Sequence, residues 1–322
     1  MKNKIIRRFL TALLPALLAL GLMAASALAE SDSGEEYIER SWSWTEAKII
    51  ETKKTIDYEN SMEFPWYYAS SFSLDPGFYV VNKNLNIDGR VFLKGDTEIL
   101  LMDGFTLNVK GLYIPAGKTL KIYGQKENTG KLVSYPSGGG AGIGATRDNQ
   151  PGGNIEIHGG IIDTKGDKNC AGIGSNDGDQ TSGSIRIFGG TVKATGGESG
   201  AGIGAGRGAV QGNIIIYGGK VRAEGGHYAA GIGGGNGQGT SPMKGGHAGI
   251  IDIYGGIINA KGGDDGAGIG GGEGGNCGVI TIHGGTIERA KGGNNGAGIG
   301  GGECEHTGDG GSITIHGGTV NA

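Results

Sequence analysis

The chain has 322 residues, 73 of them glycine and 7 proline, with 28 basic and 32 acidic side chains and a formal net charge of -4. Glycine at about a quarter of the residues belongs either to a disordered low-complexity chain or to a periodic repeat fold, and periodicity separates the two. Lys2, Lys4, Arg7 and Arg8 lie in an N-terminal leader, so the rest carries 24 basic against 32 acidic groups, a balance that excludes a general attraction for nucleic acid or an anionic bilayer.

The leader reads MKNKIIRR, then FLTALLPALLALGLMAAS, then Ala27-Leu28-Ala29. A basic start, an apolar core and an A-x-A end form a secretory signal, with cleavage expected after Ala29. The apolar run also reaches spanning length, so an uncleaved anchor is the alternative. No second such run follows, and the mature chain is expected to be exported without inserting into a membrane. Residues 30–75 hold Trp42, Trp44, Trp66, Tyr67 and Tyr68 without a clear period. They are expected to form an N-terminal cap over the first coil, because an open coil end is an exposed strand edge.

From residue 76 the chain falls into triplets of short strands. GFYVV, NLNI and RVFL form the first, EILLM, TLNV and LYI the second, and TLKIYG, KLVS and AGIG the third, with a spacing of about twenty-one residues read off Tyr79, Ile99 and Lys121. From about residue 141 the period lengthens to about thirty and glycine multiplies. AGIG begins at Ala141, Ala171, Ala201, Ala230, Ala267 and Ala297, and I-x-I-aromatic-G-G keeps step at Ile155, Ile185, Ile214, Ile251, Ile280 and Ile313. A third phrase follows each: IIDT, TVKA, KVRA, IINA, TIERA and TVNA. Repetition at this period is the signature of a solenoid.

Alternation within each phrase has the period of a strand. In IEIHGG, Ile155 and Ile157 share one face and Glu156 and His158 the other. Three strands per unit, each too short to stand alone, imply coils stacked about 4.8 Å apart: an all-β, single-stranded parallel β-helix with three short strands per coil. Glycine supplies the corners, where positive φ or close approach is needed. G-x-G-x-x-G matches occur, but no helix pattern follows them, so a nucleotide-binding loop is set aside. The last unit stops at Ala322 before its AGIG strand, so coils, a cap or an anchoring region are expected beyond residue 322. Three cysteines, Cys170, Cys277 and Cys304, make neither a disulfide framework nor a metal motif. Cys277 and Cys304 fall in neighbouring loops and could pair if their Cα atoms lie within roughly 7 Å.

The stretch GFYVVNKNLNIDGRVFLKGDTEILLMDGFTLNVKGLYIPAGKTLKIYGQ, with the AGIGGG and I-x-I-x-G-G units after it, resembles a family of secreted glycine-rich bacterial proteins with tandem AGIGGG repeats. Members look like pectate-lyase-type right-handed β-helices, and some are loosely called carbohydrate-binding. The resemblance spans residues 40 to 322. It implies right-handedness, export and a pectin-lyase-like fold, and carries no catalytic motif onto these positions.

Two sets of residues are candidate sites. Tyr123, His158, Phe188, Tyr217, Tyr254, His283 and His316 precede the corner glycine in successive coils and form an outward column of flat rings. Such rings stack on sugar faces, or on each other to stiffen the solenoid; His283 with His316 could also hold a metal. Glu273 and Glu303 end the two copies of GAGIGGGE. Stacked directly, their carboxylates would lie on the order of 5 Å apart, the separation of a retaining glycosidase pair, although short glycine-filled loops make poor groove walls. Asp177 and Asp179 in SNDGDQ, with Glu273 and Glu303, bunch oxygen ligands, so calcium is the one cofactor considered and none is required. Ice binding wants a regular Thr array, which the mixed column Ile161, Thr191, Lys220, Ile257, Thr286, Thr319 is not. Uronate lyase chemistry needs a basic residue beside carboxylate-bound calcium, which no coil supplies.

These readings converge on an exported or cell-surface module without catalytic residues, a carbohydrate-binding or adhesive element or a structural spacer, whose partner is a polysaccharide or cell-surface glycan. Cell-surface attachment would come through the region after residue 322. The alternative is a polysaccharide lyase or glycoside hydrolase on the same coil.

Overall fold

The computed structural model describes residues 34–57, 61–65, 71–146, 150–178, 181–237, 246–303 and 311–322. The expected leader lies outside them, as do Trp66, Tyr67, Tyr68, Asp179 and Cys304. The chain is a right-handed parallel β-helix with three strands per coil, the hand favoured whenever parallel strands are joined by crossovers.

Each coil visits three sheets in the same order. The I-x-I phrases form the first, the TVKA-type phrases the second and the AGIG phrases the third. Among the described residues the first sheet stacks ten parallel strands from Met62–Glu63 to Ser312–Ile315, and the other two stack nine each. Ile155, Ile185, Ile214, Ile251, Ile280 and Ile313 are direct register partners along the first sheet. The AGIG isoleucines do the same from Ile143 to Ile299. The early triplets join the same sheets as Gly77–Val81, Leu85–Asn86 and Arg90–Leu93 and their successors, with Tyr79 opposite Ile99 and Ile99 opposite Ile122, one residue from Lys121.

These registers build one continuous core running the length of the coil, of Leu and Val in the early coils and Ile with Ala later. It ends at the last coil, where Ile313 and Ile315 are 43% and 52% exposed. TIERA is one residue longer than its counterparts, and the surplus appears as a bulge between Ile258 and Asn259 where they face Ile287 and Arg289.

Two glycine positions in each unit carry the corners. The second glycine of each GG, from Gly160 to Gly318, has φ between 83° and 94°, and turns the chain from the first sheet into the second at no steric cost. The glycine closing AGIG, from Gly144 to Gly300, has φ between 129° and 140°. At Gly174 a Cβ would fall on the carbonyl of Gly204 in the next coil, so coil stacking itself excludes a side chain there.

The aromatic-rich N-terminal segment differs from a cap over the first coil. Met62–Glu63 and Ser71–Leu74 pair with the following coil and belong to the solenoid, with Phe64 buried. Residues 35–56 instead form an antiparallel hairpin, β1 (Glu35–Ser43) and β2 (Lys48–Ile56), in register from Glu35 opposite Ile56 to Ser43 opposite Lys48. The hairpin lies along the flank of the first sheet, where Ile38 pairs with Gly124.

Candidate functional site

Because each ring follows an inward isoleucine by one residue, alternation aims it out of the solenoid, and the corner that follows, Gly124 after Tyr123 and a glycine pair after the other six, comes at the same place in every coil. The seven rings form one unbroken stack. Tyr123 to His158, His158 to Phe188, Phe188 to Tyr217, Tyr217 to Tyr254, Tyr254 to His283 and His283 to His316 have centroids 4.8, 4.8, 4.9, 5.3, 4.2 and 5.3 Å apart, with interplanar angles from 3° to 28°. Coil spacing and ring thickness together leave each interior ring face against a neighbour. A sugar stacks on a ring face, and here those faces are occupied.

The hairpin covers the column as well. Tyr37 lies on Tyr123 with centroids 4.7 Å apart, and Trp42 stacks on Tyr217 at 5.4 Å while touching Tyr254 at 5.2 Å. Trp44 meets both tyrosines edge-on. Tyr37, Val80, Leu100 and Tyr123 thereby form a second, smaller core outside the solenoid. Tyr123, His158 and Tyr217 are buried, whereas His283 and His316 beyond the hairpin are exposed. The seven rings thus form a stacked spine, which the hairpin straps from Tyr123 to Tyr254 and leaves open at His283 and His316.

Polar groups fasten the strap midway. The Arg40 guanidinium donates to the His158 carbonyl at 2.5 Å and to Glu51 Oε1 at 2.9 Å. His158 Nδ1 lies 2.8 Å from the Arg40 carbonyl, and its Nε2 lies 3.6 Å from Glu156 Oε2. Glu156 also receives Arg186 at 3.2 Å. The His158 side chain, with Lys121 and Arg186 nearby, holds the Glu156 carboxyl below the usual carboxylate range against its partial burial. Tyr123 donates its hydroxyl to Glu98 at 2.8 Å, and burial pushes its ionisation well up.

The acidic candidates are engaged individually. Asp177 is held by Arg207 through two contacts, Nε to Oδ1 at 3.0 Å and Nη2 to Oδ2 at 2.8 Å, and accepts from Asn169 at 2.9 Å. A calcium ion there would have to displace a bidentate guanidinium. Glu273 and Glu303 do stack in register, since Gly274 N–H donates to the Glu303 carbonyl at 2.8 Å. Each carboxylate accepts from an asparagine amide, Asn236 at 2.5 Å and Asn295 at 3.1 Å. No group of three or more His, Cys, Asp or Glu side chains gathers for a metal among the described residues. Cys170 and Cys277 are buried free thiols, both raised in pKa by burial; the proposed partner of Cys277 lies outside the described residues.

The hairpin was the element missed in the sequence. Two alternating runs, EEYIERSWS and KIIETKKTI, flank the four residues Trp44–Ala47, a spacing that reads as a hairpin. The absence of a thirty-residue period there drew the segment to a cap instead.

Five segments, residues 155–178, 185–207, 214–236, 251–273 and 280–303, match a family model described as Beta helix repeat. Each runs from an I-x-I strand through the second sheet to the end of AGIGGG or its equivalent, so the matches coincide with the coils. No curated protein and no solved structure matches the chain.

Proposed function

We propose that the chain is a non-catalytic structural module, an exported rod that holds its ends at a fixed distance on a cell surface. The observation that carries this reading is the spine: seven rings stacked face to face, with the hairpin laid across five of the coils they mark. Side chains spent on one another stiffen the stack, and ten strands in the first sheet give a rod of about 43 Å at the coil spacing of parallel sheets. The partners in this reading are glycans or surfaces at the ends and flanks of the rod, with no cofactor required.

Incubation of the chain with a panel of plant, host and bacterial polysaccharides, scoring retention and released sugar together with small-angle scattering, tests it. A rod of the stated length that releases no sugar supports the spacer. Release of sugar that disappears in Glu273→Gln or Glu303→Gln would replace it with the rival reading, a polysaccharide-active enzyme. Retention lost in Tyr254→Ala, with folding intact, would restore the ring column as a carbohydrate-binding strip.

A further inference from the structure

The outer faces of the first and second sheets handle charge in opposite ways. On the first sheet the outward positions Glu98, Lys121, Glu156 and Arg186 are successive register partners and alternate in sign coil by coil. Each of these charges faces an opposite one in a neighbouring coil, with Arg186 and Glu156 paired at 3.2 Å. On the second sheet, four coils (Thr191–Thr195, Lys220–Glu224, Ile257–Lys261 and Thr286–Lys291) present Lys193, Lys220, Arg222, Lys261, Arg289 and Lys291 outward. The carboxylates on the same strands are Glu224 and Glu288, and Asp163 of the preceding coil faces Lys193.

The registers place like charges together at two points and set Glu224 opposite Lys261 at a third. Lys193 is opposite Arg222, and Lys261 is opposite Lys291. Like charges directly opposed on a sheet destabilise it, and the first sheet shows that this coil can avoid the arrangement. Arg222 is paired with Glu224 at 2.5 Å, and Lys193 with Asp163 of the preceding coil at 3.5 Å. Lys220, Lys261, Arg289 and Lys291 have no ion pair among the described residues. All six cations are exposed. A chain with an acidic excess thus concentrates six cations, four of them without an ion pair among the described residues, on one face of the solenoid, with Lys193 and Arg222, and Lys261 and Lys291, as neighbours along its axis.

We infer that the outer face of the second sheet, over residues 191–291, binds a linear polysaccharide bearing a carboxylate on each sugar, laid along the solenoid axis. The match is one of charge and repeat. Successive coils are about 4.8 Å apart, close to the advance of one sugar in an extended uronate chain, and Lys261 and Lys291 follow one another at that spacing, so carboxylates along the chain can meet cations of successive coils. Lysine and arginine on flexible stems meet carboxylates as charge-assisted hydrogen bonds. Single-stranded nucleic acid is the weaker fit, because its binding depends on aromatic rings under the bases and the outward side chains of these four second-sheet strands include none. A bilayer is weaker still, since Ile257, 42% exposed, is the large apolar side chain that stands out there. This site is separate from the spine, and it adds a ligand to the spacer without depending on it.

Affinity electrophoresis of the full chain through gels containing alginate, neutral dextran or single-stranded poly(dT), at two salt concentrations, tests the inference. Alginate is expected to retard the protein at low salt, less at high salt, with dextran inert and poly(dT) weaker than alginate. Replacing the four unpaired cations, Lys220→Gln, Lys261→Gln, Arg289→Gln and Lys291→Gln, should weaken alginate retardation at least tenfold. A control with the same charge change elsewhere, Lys53→Gln, Lys54→Gln, Lys83→Gln and Lys168→Gln, should keep it. Circular dichroism shows whether each variant is folded, and the single variants Lys261→Gln and Lys291→Gln replace the quadruple one if it is not. No alginate retardation, equal loss in the control, or poly(dT) binding as strong as alginate would overturn the inference; in each case the rod reading of the spine stands or falls on its own scattering test.

Discussion

Trp42 of the N-terminal hairpin stacks on Tyr217 of the solenoid, with ring centroids 5.4 Å apart and 28° between the planes. The pair joins two elements about 175 residues apart in the chain and ties a local hairpin to the middle of the coil stack. Trp42→Ala removes this contact and those with Tyr254 and Trp44. Aromatic pairs contribute about 0.5–1.5 kcal/mol each beyond buried area, so an overall loss of about 1–3 kcal/mol is expected. Urea unfolding followed by tryptophan fluorescence would measure it; an unchanged midpoint would mean the strap does not hold the spine.

Phe188 sits between His158 and Tyr217, 4.8 and 4.9 Å from them. Phe188→Ala opens a gap with rings on both sides and should cost about 2–4 kcal/mol. His316→Ala at the exposed end of the same column should change stability by about 0.5 kcal/mol or less. Equal costs at the two positions, measured by thermal unfolding, would argue that the rings act singly and not as a stack.

Three glycine substitutions separate backbone strain from coil stacking. Gly174→Ala meets both a φ of +133° and the Gly204 carbonyl of the next coil and should cost about 3 kcal/mol or more. Gly104→Ala meets only a φ of +82° with nothing within 4 Å, for about 1 kcal/mol. Gly301→Ala, which has nothing within 4 Å and no such φ, should be neutral. Another order in the unfolding midpoints would contradict the steric account of the AGIG corner.

The Glu156 carboxyl is held below its ordinary range, first by His158. A lowered folded-state pKa means that its contribution is complete above the unfolded carboxylate range and is lost as pH falls through the lowered value. Between neutral pH and about pH 3 the melting temperature of the native chain should therefore fall more steeply than that of Glu156→Gln. Parallel slopes would show that the carboxylate adds nothing to the fold.

Asp177 is already paired with Arg207 through two contacts, so calcium and EDTA should give the same melting temperature. Arg207→Gln should lower that temperature without creating a calcium response. Stabilisation of the native chain by calcium would reinstate the SNDGDQ loop as a metal site.

Much of the architecture was legible because a solenoid writes its register into its repeat. Each I-x-I phrase states which side chains face inward, and each GG marks the corner that follows, so strand identity, sheet count and the early triplets follow from spacing. The early coils differ in length, so an even spacing locates their strands only to within a residue, near Lys121 where Ile122 is the register partner of Ile99. The candidate site was legible only as a list. Alternation placed seven rings on one line, yet whether they face a ligand or each other depends on ring tilt, and whether they see solvent depends on a segment more than a hundred residues away for some of them.

What the amino-acid sequence determined by itself is therefore what neighbours in the chain control: alternation, glycine corners, period and the order of strands in a coil. Tertiary structure alone decided what lies on the coil. The hairpin could have capped an end or lain along a flank, and Tyr37, Arg40 and Trp42 reach their partners Tyr123, His158 and Tyr217 only once stacking has set those rings in line. The same holds for the cations of the second sheet. Lys261 and Lys291 are thirty residues apart in the chain, and only the stacking of one coil on the next makes them neighbours.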